Sequence, residues 1–264
     1  MKELLKLVRC EFLKLKRKHF ISFVIFASFL FPIPFTALVL TGNVASFDGF
    51  DAIFSLLVTL GEPIMLPIIV GIVSAMLFFM ERDNDTLKNL CTIPISPIKI
   101  AVAKIIVLFI LGQIYSLATL GSSMVGGIIA GSEIINIGEK LFIAMITGLL
   151  YTAGTLPVII AIVGLNRSYI FSIIITFFYT MFSFLLAYGG LFTSSSQMLK
   201  VLTSILPAPI IYRWQASVFV EVGSPAYEVF KPYFLSLGFV IVVIAIISIL
   251  SGWAIMKLYG KKEN

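Results

Sequence analysis

The chain is short of charge. Only 12% of its 264 residues are Asp, Glu, Lys or Arg, where a soluble domain carries roughly 25%. A soluble core of this length needs a charged shell, so the low fraction excludes an ordinary soluble domain. Histidine is reduced to His19, and cysteine to Cys10 and Cys91. That leaves no Cys/His set with zinc spacing and no disulfide framework. There is no Gly-x-Ser-x-Gly nucleophile elbow. There is also no Gly-x-x-x-x-Gly-Lys-Ser/Thr phosphate loop, so the chain does not bind ATP by that device. Together these absences point away from catalysis, and no metal or cofactor is expected in this chain.

What remains is apolar: 59% of residues are hydrophobic and the mean hydropathy is +1.09. A membrane-spanning helix needs roughly 20 apolar residues. Six segments supply them, at about 20–41, 54–80, 100–130, 141–164, 169–192 and 232–256. In hydrocarbon the backbone must bond internally, so each is expected to be helical, and Pro32, Pro34, Pro63, Pro67 and Pro157 should kink rather than abolish them. The expected fold is an all-α integral membrane protein, a single transmembrane domain over residues 1–264 with six spans. Residues 1–19 are expected as an interfacial helix, with a short cytosolic helix between spans two and three and re-entrant helices on the outer face before the last span.

The net charge of +6 matters by its placement. With the N-terminus inside, every Lys and Arg except Lys140, Lys200, Arg213 and Lys231 falls in a cytosolic segment, and the first outer loop holds Asp48 and Asp51 without a base. This bias predicts both termini in the cytosol. It reads the basic composition as topology, with no nucleic-acid partner. The charged stretch 1–19 precedes a full-length apolar run with no small-residue cleavage site behind it. It is therefore expected to remain as an anchor. Cys10 and Cys91 then lie on the reducing side as free thiols.

Four features stand out from the oil. In the first 18 residues Leu4, Leu5, Leu7, Val8, Phe12 and Leu15 share one helical arc, with Leu13 misplaced and the bases mostly opposite or flanking. Such a helix lies in the interface with Lys6, Arg9, Lys14, Lys16 and Arg17 towards anionic headgroups and Phe12 in the apolar arc; the alternative is a plain positive-inside flank. Residues 193–231 are too long for a simple loop and too apolar for a solvated one. Pro207 and Pro209 divide them into pieces too short to span, and Tyr212 and Trp214 suit an interfacial aromatic belt. Glu62 is an acid near the outer end of the second span, either a rim carboxylate or a substrate or gating contact. Gly127 and Gly131 have the spacing that lets two helices approach closely.

The remaining feature is the polar island Glu81–Lys99. Asn84 or Asp85 caps a short helix over Thr86 to Thr92, with Leu87, Leu90 and Cys91 on one side. Pro94 ends it, and Ser96-Pro97 reads as the cap and first turn of the third span. A rigid cytosolic helix held between two spans is a means for a soluble partner to move membrane helices; a well-capped loop with no partner fits the same residues.

Several of these segments resemble permease subunits of type-2 ATP-binding-cassette (ABC) exporters. They are Glu11-Phe-Leu-Lys-Leu-Lys-Arg17 ahead of the first span, Glu81-x-x-x-Asp85-Thr86-Leu87-Lys88-Asn89-Leu90, Ile93-Pro94-Ile95-Ser96 and Lys99 to Lys104. Within that class the chain is most similar to small bacitracin and lantibiotic immunity permeases. Asp85 departs from the glycine many relatives carry there. The resemblance implies a coupling helix, with Glu81, Asp85, Thr86, Leu87, Lys88, Leu90 and Cys91 near a cytosolic ABC ATPase. That ATPase would hold the ATP and Mg. The resemblance also implies a second permease subunit, identical or related, and residence in the bacterial plasma membrane. The N-terminal helix would touch the same ATPase, and residues 193–231, with Glu62, Tyr212 and Trp214, would line a gate for an amphipathic substrate such as a peptide antibiotic.

Two other classes compete. An ion- or proton-driven carrier needs ionisable groups deep in the membrane, and Glu62 is a single candidate. A non-transporting sensor or assembly subunit would carry the same loop. An intramembrane enzyme fails for want of a paired nucleophile and base.

Overall fold

The computed structural model describes residues 2–17, 19–30, 32–41, 49–83, 96–165, 168–189 and 196–263, and among them every regular element is a helix. In order these are α1 (Lys2–Arg17), α2 (Phe20–Ser28) and α3 (Pro32–Leu40). Next, α4 (Gly49–Leu56) passes through a π turn at Leu57–Gly61 into α5 (Glu62–Asp83). Then follow α6 (Pro97–Ile129), α7 (Ile137–Leu165), α8 (Tyr169–Tyr188), α9 (Gln197–Ile205), α10 (Pro207–Phe219) and α11 (Pro225–Phe230). A 3-10 turn at Lys231–Tyr233 leads to α12 (Leu237–Glu263). Among the described residues five rods are long and apolar enough to cross a membrane: α4–α5, α6, α7, α8 and α12. The pair formed by α1 and the α2–α3 segment, bent by 69°, would make a sixth. The molecule is an all-α integral membrane protein.

The first expected span is two nine-residue helices with a tight turn between them. Phe29 and Leu30 donate three residues back, to Phe26 and Ala27. Pro32 has no N–H for the Ser28 carbonyl four residues earlier, and the buried Ser122 hydroxyl of α6 lies 3.2 Å from that carbonyl, sharing its proton with the nearer Thr119 carbonyl at 2.8 Å.

The second span starts at Gly49, earlier than the sequence pattern places it, and its register slips at a proline. The Glu62 N–H donates to Leu57, five residues back. The next carbonyl in that register, Val58, faces Pro63, which has no N–H to give. Gln215 of α10 supplies the missing donor, Nε2 to Val58 O at 3.1 Å.

α7 is the centre of the bundle, with 72% of its apolar window inside, whereas α12 has 22% inside and turns Phe239, Ile249 and Trp253 outward. In lipid, helices associate by close packing rather than by escape from water. The buried Thr119, Thr147, Thr152 and Thr155 accordingly bond their own helix four residues back and pack as small side chains. The Gly127/Gly131 spacing splits in two. A Cβ on Gly127 would come within 2.9 Å of Phe50 of α4, while Gly131, at φ +71°, ends α6.

Candidate functional site

The ends of α5, α6 and α1 meet at one end of the bundle. Lys104 of α6 is fully buried. Its Nζ donates to the Leu77 carbonyl of α5 at 2.6 Å and to Glu11 Oε2 of α1 at 3.1 Å. The other oxygen of Glu11 takes Lys14 at 2.6 Å. A second pair at the surface, Lys99 Nζ to Glu3 Oε2 at 2.8 Å, joins the first turns of α6 and α1. The hydrogen bond and charge of Lys99 hold the Glu3 carboxyl below its usual range. Thus α1 is fastened to both helices that bracket residues 84–95.

This changes the reading of α1. Leu4, Leu7, Val8, Phe12 and Leu15 do form the inward side, but that side packs on the bundle, with Leu15 fully buried. The outward side carries Lys6, Arg9, Cys10 and Lys16, with Leu5 and Leu13 also exposed; Lys14 is half-buried by its bond to Glu11. The side chain of Arg17 lies outside the described residues. So do the coupling-helix candidates Asp85, Thr86, Leu87, Lys88, Leu90 and Cys91. Glu81 closes α5 by its backbone, and its side chain is likewise outside the description. Lys104, counted as a flanking base in the charge pattern, is the residue that pattern misjudged. Its signal was a lysine within an apolar run, one helix away from an acid in an apolar arc.

The second cluster is in the interior. Glu62 follows the π turn and is fully buried, not at a rim. Its Oε1 is 2.7 Å from Ser116 Oγ, which is itself 2.6 Å from the Ala144 carbonyl. Its Oε2 accepts no hydrogen bond among the described residues, although the Thr147 hydroxyl, which donates to its own helix, lies near the carboxyl. Tyr115 and Tyr151 lie close enough to interact electrostatically with that carboxylate. The Tyr151 hydroxyl donates to Gln215 Oε1 at 2.9 Å, and Gln215 continues to Val58, so a polar bridge crosses the bundle from α7 through α10 to the π turn.

α10 is positioned by a tight helical hairpin with α9. Ser196 precedes α9, the chain reverses at Leu206 (φ −73°, ψ 136°), and Pro207 opens α10. The tip packs on Gly154 in the middle of α7, where a Cβ would come within 2.7 Å of Pro207. Midway along, α10 is tied to the 3-10 turn by Arg213 Nε to the Tyr233 carbonyl at 2.7 Å. Trp214 is 5% exposed, inside the bundle rather than in an aromatic belt. Tyr212 packs its ring 4.2 Å from that of Tyr188 of α8.

At the opposite end from α1, a cavity of about 220 Å³ opens between α4, α7 and α10, with Asp51, Phe54, Ser55, Glu139, Lys140 and Phe219 in its wall. Lys140 Nζ bonds Asp51 Oδ1 at 2.6 Å and the Ile135 carbonyl at 3.1 Å. No His/Cys/Asp/Glu group able to hold a metal occurs among the described residues.

A sequence model described as ABC-2 family transporter protein matches residues 7–183, from α1 into α8. No curated protein matches the chain.

Proposed function

Because the chain belongs to the ABC-2 family of transporter proteins, a permease component of an ABC transporter, we propose that it exports an amphipathic substrate, a peptide antibiotic by resemblance, on ATP hydrolysed by a separate ABC ATPase. The ATP and Mg belong to that partner. A second permease subunit, identical or related, completes the assembly in the bacterial plasma membrane, with both termini cytosolic. Segment 81–91 is the coupling element.

One observation carries the coupling assignment. Lys104 and Lys99 fasten α1 to α6, and Lys104 fastens both to α5. A push on the segment between α5 and α6 is therefore shared at once by three helices and reaches the spans without slack. The basic outward side of α1 offers the same partner a second contact.

The test is co-purification with a co-expressed ABC ATPase that the parent chain retains. Leu87→Asp with Leu90→Asp should release the ATPase while leaving the thermal midpoint of the permease unchanged. Retention of the ATPase by that double variant would overturn the coupling assignment. Buried Glu62 is the feature that favours an ion-driven carrier. That reading wins if transport persists without any ATPase and collapses on Glu62→Gln.

A further inference from the structure

Three side-chain stripes face one another beneath the 220 Å³ cavity. On α4–α5 the stripe runs Asp51, Phe54/Ser55, Val58, Glu62, in steps of three and four residues. On α7 it runs Lys140, Ile143, Thr147, Tyr151, and on α10 it runs Phe219, Gln215, Tyr212. The cavity is bounded by the first members of each. Below it, the rings of Phe54 and Phe219 close edge to face at 6.2 Å. Below them, the Tyr151–Gln215–Val58 bridge crosses the seam. Glu62 lies below the bridge, eleven residues from Asp51, about 16 Å at the helical rise, with an unpartnered buried oxygen. Both closures depend on α10, whose only covalent approach on the inner side is the reversal at Leu206–Pro207.

We propose that this seam is a binding path for the ammonium or guanidinium group of an amphipathic ligand, with Glu62 as the counter-ion at its inner end. The chemistry is consistent along the path. Asp51 and Glu139 are at the mouth, and Lys140 pairs with Asp51. The walls are aromatic: Phe54 and Phe219 line the mouth and Tyr151 lies near Glu62, side chains of a kind that stabilises a cation. A buried carboxylate oxygen without a donor costs free energy that an ammonium N–H removes. An anionic ligand would gain nothing from Glu62, and a neutral hydroxyl would supply a hydrogen bond without the charge attraction. The proposal rests on the transporter reading and names the substrate chemistry for it.

The experiment uses the whole chain in phosphatidylcholine nanodiscs. Trp253, on the outward side of α12, is replaced by Phe, leaving Trp214, next to Gln215, as the fluorescent reporter. Dodecylammonium should give a saturable change at concentrations at least tenfold below dodecanol. Glu62→Gln should raise the half-saturation point at least tenfold, while Asp51→Asn raises it two- to threefold. Equal responses to amine and alcohol, or an unchanged titration in Glu62→Gln, would overturn the proposal. If Glu62→Gln does not fold, Tyr151→Phe carries the test: it removes the bridge and keeps the ring, so saturation should be reached at least threefold faster, and an unchanged rate overturns the path. Binding is read without the ATPase. Loss of this site with intact ATPase co-purification would leave the permease reading standing, and the reverse result would leave the site standing without it.

Discussion

Each end of the bundle has a lysine–carboxylate pair between distant helices, and the two pairs are built differently. Lys104–Glu11 is sealed, with side-chain exposures of 0% and 6%. Lys140–Asp51 is open on one side, at 9% and 37%. A sealed pair is weak evidence for added stability but cannot lose one partner cheaply, because the other is left charged in an apolar interior. A half-open pair can trade its partner for water or for a ligand at little cost. The α1 end is therefore built to move as a unit, and the cavity end to exchange partners.

The strongest way to break this contrast is Lys104→Met. It leaves Glu11 with Lys14 alone and should cost about 3–5 kcal/mol, read as a large fall in the thermal midpoint of the purified protein. Adding Glu11→Leu should recover most of the loss; no recovery would mean the pair itself, not the orphaned charge, supplies the stability. Asp51→Asn should cost about 1 kcal/mol or less, because a third of that carboxylate already meets solvent. A loss as large as that of Lys104→Met would erase the distinction between the ends.

The smallest effect belongs to Glu3, fully exposed beside Lys99. Its folded pKa lies below the unfolded one, so whatever the pair contributes is present above the unfolded value and disappears as pH falls through the folded value. Glu3→Gln should lie at or slightly below the parent's melting midpoint at pH 7 and converge on it as pH falls through the folded pKa of Glu3. A difference that grows on acidification would reverse the sign.

The spans were legible because twenty-residue apolar runs have few alternatives in a chain this poor in charge. Their ends were less so. The second span began at Gly49 rather than 54 because Phe50, Ala52 and Ile53 pack on α6 despite the acid between them, and that shift is what carried Glu62 from a rim to the interior. Periodicity identified the apolar arc of α1, but an arc looks the same whether it faces lipid or α6. The short helix pair α9–α10 was signalled by Pro207 and Pro209. How deep it reaches was not, since that depends on Gly154, one small residue on another helix. The π turn was hidden for the same reason: Pro63 removes a donor visibly, but the replacement, Gln215, lies more than 150 positions away.

That borrowed hydrogen bond has a consequence for how the seam opens. When α10 lifts, Gln215 leaves and Pro63 still has nothing to offer, so the Val58 carbonyl faces a penalty of several kcal/mol in a dry setting. Only water is small enough to follow α10 and take up the bond as it breaks. With Cys10 and Cys91 replaced by Ser, Thr147→Cys, at a fully buried position below the cavity, should accordingly react with a water-borne thiol reagent in the same step that changes Trp214 fluorescence. Movement of α10 and wetting of the seam are then a single event, and a span that has lent out one backbone bond becomes a sensor of hydration.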